Sequence, residues 1–378
     1  MTTLEARLSL PGPKRLLALD GGGIRGLVTL GYLERIESLL REQHGAPDLV
    51  LADYFDLIGG TSTGSVIATA LALGWPVGEI RRLYHKLGAD AFKPKRSLLG
   101  PFGRIVGAKF DEKAVGEVLR SELHDWRLDS ERLRVGLTII AKRADTGSVW
   151  VLVNIPGHRY YEMNRHLKLW EVVRASTAAP TYFAPQWIKD LGGGEGGVFV
   201  DGAVSMHGDP ALQLLMVATL QGFGLGWPLG AERILLCSVG TGSFVAKAPP
   251  QKLKKYTQLH WLALLMVQMM SDAGELNRTM LQWLSRSPTA HEIDSQIGDL
   301  GSDLLGPQPL LHYLRYNVGL DPDALSGLGL TYSEKEASSL REMTNVAKIP
   351  ELDEVGQRAA AAQVHLDHFP DRFKRDVP

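Results

Sequence analysis

The sequence lacks three features that would narrow the class of protein at once. It has a single cysteine, Cys237, so no intrachain disulfide can form, and its apolar neighbours 234–236 indicate a buried, inert thiol. Its 41 Lys and Arg residues balance 42 Asp and Glu residues, so no net field draws the chain to nucleic acid. Its longest apolar run, near 261–267, is too short to span a bilayer.

Further absences concern targeting and metals. The N-terminal residues have no long apolar core and carry an early Glu5, so we expect no secretory signal and a cytoplasmic protein. The acidic residues are scattered rather than grouped, so we expect no metal site and no cofactor. With 378 residues, 44% of them hydrophobic and 22% charged, the chain is long and apolar enough to bury a substantial core.

A candidate nucleophile stands in the stretch 58–65, which reads I-G-G-T-S-T-G-S. An apolar, strand-like run precedes this G-x-S-x-G pattern and a helical run follows it. A serine on a sharp strand-to-helix turn holds its hydroxyl clear of the sheet, and Gly60 and Gly64 avoid clashes with neighbouring backbone. The pattern therefore indicates Ser62 as a nucleophile. The alternative is that the hydroxyl residues simply cap a helix, as such residues commonly do.

A glycine loop, 21–26 (G-G-G-I-R-G), follows the predicted strand 15–20 and precedes a helix. This geometry aims bare backbone amides at an anion. The loop contains G-x-G-x-x-G, but a dinucleotide site also needs an acidic residue about 20 residues on, at the end of a second strand. Residues 42–47 are instead a helix end and a loop. An oxyanion cradle beside Ser62 is the other interpretation, and Arg25 is either a surface charge or a brace for the loop.

Alternating strands and helices over the first 240 or so residues predict a three-layer α/β/α sheet. After about Phe244 the chain is predicted to be mostly helical, with an amphipathic run over 261–284. Residues 91–110 differ from their surroundings, since they hold five basic residues, no acidic one and several Gly and Pro breakers. They suit a lid or a lipid-surface contact, or else an ordinary solvated loop.

A short predicted strand, 198–200, leads into Asp201, which is followed by Gly202 and Ala203. Asp-Gly is a common turn signal, so Asp201 is either a turn residue or a base for a nucleophile. A conventional triad would need a histidine as well. His207 follows six residues later and His85 follows the helix after Ser62, but the spacing favours neither.

Three motifs at the ends of predicted strands resemble the patatin-like phospholipase family in their order and spacing. They are D-G-G-G-I-R-G at 20–26, G-T-S-T-G at 60–64 and D-G-A at 201–203, with further similar segments at 175–183 and 238–242. The resemblance is to compact bacterial members and covers roughly 14–320. It implies a domain over 14–320 between an N-terminal extension, 1–13, and a helical C-terminal extension, 321–378, packed on the same domain.

The resemblance implies a lipid acyl hydrolase that cleaves membrane phospholipids through an acyl-enzyme, with a Ser62–Asp201 dyad and no histidine. Peripheral contact with a membrane surface follows from such a substrate. The implied site residues are the oxyanion hole (Gly21, Gly22, Gly23, Arg25 and Gly26), the nucleophile elbow (Gly60 and Gly64) and the residues after the aspartate (Gly202 and Ala203).

Two further implications concern regulation and substrate choice. Compact bacterial proteins that resemble this chain include phospholipases activated by cyclic nucleotides in antiphage defence, which implies such an activator and role here. The motif at 201–203 is D-G-A rather than the commoner D-G-G, and 207–210 read H-G-D-P where an asparagine pair often precedes the proline. These departures predict altered walls of the site rather than an altered mechanism.

Overall fold

The computed structural model describes residues 3–90, 112–192, 194–244 and 250–375. The basic segment singled out at 91–110 lies outside the described residues. The strands are β1 (Lys14–Leu19), β2 (Leu57–Thr61), β3 (Gly136–Arg143), β4 (Val149–Val153), β5 (Gln186–Ile188), β6 (Gly197–Asp201), β7 (Ile234–Val239), β8 (Ser285–Arg286) and β9 (Leu311–Tyr316).

Helices alternate with these strands along most of the chain. They are α1 (Leu4–Ser9), α2 (Gly26–His44), α3 (Leu51–Tyr54), α4 (Thr63–Ala72), α5 (Val77–Asp90), α6 (Glu112–Leu123), α7 (Tyr161–Asn164), α8 (Leu169–Ser176), α9 (Ala211–Thr219), α10 (Pro250–Leu253), α11 (Gln258–Leu284), α12 (Pro322–Gly327), α13 (Glu334–Arg341) and α14 (Ile349–Gln363). No helix among the described residues is both long and apolar enough to cross a membrane.

One mixed sheet joins the described strands in the order β5-β6-β3-β2-β1-β7-β9-β8, with β4 as an additional partner of β3. The central strands β3, β2, β1, β7 and β9 are parallel neighbours, so their carboxyl ends meet at one edge. Strands β4 and β6 run antiparallel to β3. In open α/β sheets, the carboxyl edge of the strands is where binding sites form.

The side chains of β1 show how helices cover both faces of the sheet. Leu17 and Leu19 lie in one apolar core with residues of α2, α4 and α14, whereas Leu16 and Ala18 lie in a second core with residues of α9 and α11. Every residue of β1 is buried, as expected of a strand covered on both faces. The predicted α/β class with a three-layer arrangement is confirmed.

Strand β9 differs from the expectation that the chain after Phe244 is mostly helical. Residues 311–316 instead add a parallel strand beside β7. Its sequence, L-H-Y-L-R-Y, places His312 and Arg315 among the apolar residues, so it lacks the continuous apolar run that marks a central strand. Arg315 is tolerated there because its guanidinium pairs with the buried carboxylate of Asp20.

The C-terminal part packs on the same body as the sheet. Helix α14 crosses α2 so closely that a Cβ on Gly31 would lie 2.4 Å from the backbone carbon of Gly356. Phe369 and Phe373 are buried in the larger core, and Arg375 pairs with the buried carboxylate of Asp56. The division of the chain into a domain and two extensions stays a prediction.

Candidate active site

The register of the sheet determines which residues meet at its carboxyl edge. Strands β1 and β2 are parallel neighbours, with Leu19 paired to Gly60. The glycine loop leaves β1 one residue after Leu19, and Ser62 follows the end of β2. The loop and the serine therefore lie side by side, although about forty residues separate them in sequence.

Asp201 reaches the same edge from the opposite direction. Strand β2 pairs Thr61 with Ile140 of β3, and on the other side of β3 the antiparallel β6 pairs Asp201 with Ala141. Ser62 and Asp201 consequently lie on either side of the end of β3. That β6 runs antiparallel was not evident from the sequence, which placed Asp201 only at a strand end.

The two side chains are in direct contact. Ser62 Oγ donates a hydrogen bond of 2.6 Å to Asp201 Oδ2, and the backbone N–H of Ala203 donates one of 2.8 Å to Asp201 Oδ1. Ser62 and Asp201 are 8% and 3% exposed, so water screens the pair little. A hydroxyl bonded to a carboxylate at this distance is a charge-assisted hydrogen bond.

The environment of Asp201 changes its basicity. Burial raises the pKa of the Asp201 carboxyl to about 6, while the Ser62 hydroxyl, the Ala203 amide and the charge of Arg174 act in the opposite direction. A free aspartate, with a pKa of about 4, is a poor proton acceptor at neutral pH. A carboxylate with a pKa of about 6 is a better acceptor and still ionised at pH 7.

Ser62 sits in a strained backbone conformation, with φ 55° and ψ −129°. For a residue other than glycine, such a conformation costs about 1–3 kcal/mol and persists only where neighbours impose it. The Ser62 N–H donates to Ser176 Oγ at 2.9 Å, and Ser176 Oγ donates to the carbonyl of Ile140 at 2.6 Å. The Ser62 carbonyl accepts from both the amide and the hydroxyl of Ser65. The similar segment at 175–183 contains Ser176, but its position beneath Ser62 depends on the fold.

Gly60 and Gly64 allow the turn to pack against β1. A Cβ on Gly60 would lie 2.2 Å from the carbonyl oxygen of Gly64. A Cβ on Gly64 would lie 2.2 Å from the carbonyl oxygen of Leu19. Because these neighbours are backbone atoms, neither position has room for a side chain.

The amides of the glycine loop are not equally available to a ligand. The N–H of Gly21 donates to the carbonyl of Gly208 at 3.0 Å, and the N–H of Gly22 donates to Thr63 Oγ1 at 3.1 Å. The N–H of Gly23 has no hydrogen-bond partner among the described residues. Gly23 also has φ 64°, in the left-handed region that favours glycine. A side-chain hydroxyl can rotate away, whereas a backbone carbonyl cannot, so Gly22 and Gly23 are the amides that a substrate could engage with least disturbance.

Arg25 holds the loop rather than facing Ser62. Its guanidinium is buried and donates to the carbonyls of Gly22 and Gly242, each at 3.3 Å. Burial lowers the pKa of Arg25 to about 10, so the group remains charged at neutral pH. Gly26 begins α2, where a Cβ would lie 2.5 Å from the hydroxyl of Tyr84.

Gly202 and Ala203 form the wall beside Asp201. A Cβ on Gly202 would lie 2.4 Å from the carbonyl oxygen of Ile140, so this position also lacks room for a side chain. The methyl group of Ala203 lies 3.7 Å from where a Cβ on Gly21 would be. The alanine that departs from the commoner D-G-G motif therefore adds a methyl group between Asp201 and the glycine loop.

A buried ionic network supports both ends of the site, and the sequence pattern did not predict its central residue, Arg315. Arg315 donates to the two carboxylate oxygens of Asp20 at 2.9 and 2.6 Å. Its Nη1 also lies 3.3 Å from a carboxylate oxygen of Asp209 and donates to Ser238 Oγ at 2.6 Å. The guanidinium thereby connects the start of the glycine loop to the segment after Asp201.

The candidate histidines take no part in the Ser62–Asp201 contact. His207 Nδ1 lies 3.0 Å from Ser205 Oγ, and its carbonyl accepts from the Thr61 hydroxyl. His85 is exposed on α5. Within the described part of the chain, neither His85 nor His207 has a hydrogen bond to Ser62 or Asp201.

The fold does not provide the acidic residue that the dinucleotide interpretation of the glycine loop requires. A dinucleotide fold places an acidic residue at the end of the second strand to bind a ribose hydroxyl. Here β2 ends at Thr61, and the next residue is Ser62.

Comparisons with known proteins agree with the motifs. The sequence model of the family described as patatin-like phospholipase matches residues 17–215. Patatin-17 of Solanum cardiophyllum is 31% identical over 277 residues, which cover 68% of this chain and 68% of that protein. Patatin-1-Kuras 2 of Solanum tuberosum is 29% identical over 291 residues, which cover 72% of this chain and 74% of that protein.

A solved structure of human GIVD cytosolic phospholipase A2 is more distantly similar. It is 13% identical, and the match covers 98% of this chain and 62% of that one with a TM-score of 0.43.

Proposed function

The chain belongs to the patatin-like phospholipase family and is a lipid ester hydrolase, and from this we propose that Ser62 and Asp201 are its catalytic dyad. The observation that carries the proposal is the 2.6 Å hydrogen bond from Ser62 Oγ to the buried Asp201 carboxylate. A nucleophile and its base must lie within hydrogen-bond reach, and the pair satisfies that requirement directly.

In the proposed reaction, Ser62 Oγ attacks the carbonyl carbon of the acyl ester while its proton passes to Asp201. The tetrahedral intermediate collapses to an acyl-enzyme, and the departing alcohol takes the proton back from Asp201. Water then attacks the acyl-enzyme, again giving a proton to Asp201. Collapse of this second intermediate releases the fatty acid, and the proton returns to Ser62 Oγ.

We place the oxyanion hole at the N–H groups of Gly22 and Gly23, beside the amide end of α4. The carbonyl oxygen of the substrate would replace the Thr63 hydroxyl as the acceptor for Gly22. The N–H of Gly21 contributes less, because its acceptor is the backbone carbonyl of Gly208, which cannot rotate away as the Thr63 hydroxyl can. Donors of this kind typically contribute about 10²–10³ in rate.

The test combines a fluorophosphonate probe with release of fatty acid from phospholipid vesicles. Wild type should be labelled and should release fatty acid, whereas Ser62→Ala should do neither and Asp201→Asn should be strongly impaired in both. Ser338→Ala, at an exposed position on α13, is the matched control and should behave as wild type. Labelling that persists in Ser62→Ala would exclude Ser62 as the nucleophile.

A second proposal concerns activation by a cyclic nucleotide, with a role in antiphage defence as its biological setting. The supporting observation is a polar cavity of about 450 Å³ beside β9, lined by Arg278, His291, Arg315, His365 and His368 among others. Its size suits a small ligand, and the guanidinium groups of Arg278 and Arg315 suit phosphate. Because Arg315 also binds Asp20, a ligand there would lie one side chain away from the glycine loop.

The activation proposal has its own test. Vesicle hydrolysis is measured with and without cyclic mono- and dinucleotides, for wild type and for Arg278→Glu. We expect one nucleotide to raise the rate of wild type several-fold and to leave Arg278→Glu at its basal rate. If no nucleotide changes the rate of wild type, the activation proposal fails while the dyad remains unaffected.

A further inference from the structure

Helix α11 is unusual in that its first half is apolar and uncovered. From Tyr256 to Ser271 the sequence holds no Asp, Glu, Lys or Arg. Leu262, Leu265 and Met269 are nevertheless 59%, 48% and 69% exposed. A helix that is apolar around most of its circumference is normally buried, and a contiguous exposed apolar patch normally marks a binding surface. Among the described residues, none covers the side of this helix that carries Leu262, Leu265 and Met269.

The exposed side chains form a defined surface. Positions three, four and seven apart lie on one side of a helix. We call this surface the α11 apolar face, and its members are Trp261, Leu262, Leu265, Met269 and Leu276, each at least 39% exposed.

The second half of α11 anchors this face beside the active site. Leu281 is buried in the core beneath the sheet. Asn277 Nδ2 donates to the carbonyls of Met206 and Asp209 in the segment after Asp201. Met206, five residues after Asp201, is itself 59% exposed, so apolar surface continues from the helix toward the catalytic edge.

Two lysines and a tyrosine lie just before α11, and the tyrosine contacts a tryptophan at its start. Lys254 and Lys255 are exposed, and Tyr256 packs edge-on against Trp261 with ring centroids 5.8 Å apart. Tyrosine and tryptophan favour the boundary between lipid headgroups and acyl chains. Lysines near such a boundary are attracted to anionic headgroups.

We propose that the α11 apolar face is the surface by which this protein binds a lipid bilayer, lying in the interface without crossing it. The inference rests on the proposed function, since a lipid ester must leave a membrane to reach Ser62. Interfacial helices of this type combine an apolar side with lysines and interfacial aromatic residues. The bound helix would hold the catalytic edge close to the bilayer surface.

A second copy of the chain is the competing partner for the same face. A helical dimer would need apolar residues to continue at the heptad positions after Met269. Those positions are Asp272, Leu276 and Thr279, so an exposed carboxylate and a hydroxyl interrupt the seam on either side of one leucine. The paired lysines would also repel their counterparts in many dimer arrangements, whereas anionic lipid complements them.

The experiment separates binding from catalysis. Binding to vesicles is measured by flotation in the Ser62→Ala background, with phosphatidylcholine alone and with added phosphatidylglycerol. The face variant carries Leu262→Gln, Leu265→Gln and Met269→Gln, and it should bind about ten-fold or more weakly to both vesicles. Lys254→Glu with Lys255→Glu should weaken binding only to the anionic vesicles.

A matched control substitutes three exposed leucines, Leu10→Gln, Leu220→Gln and Leu229→Gln, which lie off α11 and should leave binding unchanged. With Ser62 intact, the face variant should hydrolyse a soluble short-chain ester within about two-fold of wild type. Vesicle binding unchanged in the face variant would overturn the proposal. So would a wild-type dimer, seen by sedimentation, that the face variant loses while its vesicle binding persists. If the wild type does not hydrolyse the soluble ester, that result counts against the proposed function alone.

Discussion

Asp20 and Asp201 are both buried at the carboxyl edge of the sheet, but their partners differ. Asp20 accepts two hydrogen bonds from the guanidinium of Arg315, whereas Asp201 accepts one from the hydroxyl of Ser62. Burial raises the pKa of both carboxyls, and the charge of Arg315 opposes that rise at Asp20. Burial alone therefore does not identify a catalytic base, and the bonded partner distinguishes a structural carboxylate from a reactive one.

The largest expected effect comes from Asp201→Asn. The amide keeps the shape of the side chain but cannot accept the proton, so kcat/KM should fall by about 10⁴-fold. Stability should change little, because the amide oxygen can still accept from the Ala203 N–H while the amide nitrogen donates to Ser62 Oγ. Ester hydrolysis and thermal melting check the two statements. Activity within ten-fold of wild type would remove Asp201 from the mechanism.

The same substitution at Asp20 should affect stability more than kcat/KM, the opposite of Asp201→Asn. Asp20→Asn leaves the buried Arg315 with only part of its countercharge and should cost about 3 kcal/mol of the free energy of unfolding. Urea denaturation measures this cost. Asp20→Asn with Arg315→Met should cost less than the sum of the single changes, because the two groups act as a pair. Additive costs would mean that the network does not couple them.

An intermediate effect is expected for Ser176→Ala, which removes the acceptor for the strained Ser62 N–H. A buried donor left unpaired costs about 1–3 kcal/mol. We expect the unpaired Ser62 N–H to shift the turn, which would misplace the nucleophile and lower kcat by about ten-fold. Thr177→Val is the control, since the Thr177 hydroxyl donates to the carbonyls of Val173 and Arg174 in α8. Equal kcat in both variants would contradict a positioning role for Ser176.

The smallest effect concerns pH. Below a pH of about 6, Asp201 is protonated and cannot accept the Ser62 proton, so kcat/KM should fall about ten-fold per pH unit. The charge of Arg174 lowers the pKa of Asp201, so Arg174→Gln should move this acid limb to higher pH. Profiles of kcat/KM against pH on a soluble ester measure the acid limb in the wild type and in Arg174→Gln. A limb that stays in place or moves to lower pH would contradict this assignment of the base.

The contrast between the two aspartates also shows what sequence can predict. Ser62 and the glycine loop are local patterns of strand, turn and helix, so their positions at strand ends could be predicted. The partner of Asp20 could not be predicted, because Arg315 lies 295 residues away. It is also on a strand whose polar residues interrupt the apolar pattern that would have identified the strand. Ser176 lay within a similar segment, but only the packing of α8 on β3 places its hydroxyl under Ser62.

Helix α11 shows a different limit. Its amphipathic pattern predicts a helix, and such a pattern ordinarily predicts that the apolar side is buried. Whether other parts of the chain cover that side depends on tertiary packing, which periodicity does not report. The exposure of Leu262 and Met269 is therefore information that only the structure supplies.

The ionic contact between Asp20 and Arg315 has a consequence for the timing of activity during synthesis. Ser62 and Asp201 are 139 residues apart, and the brace on the glycine loop is not available until β9 has been made. A nascent chain that lacks β9 should hold its nucleophile and base on an unsupported edge. We expect chains truncated before Leu311 to resist fluorophosphonate labelling, so that the newly synthesised hydrolase remains harmless to membranes until its last strand is in place.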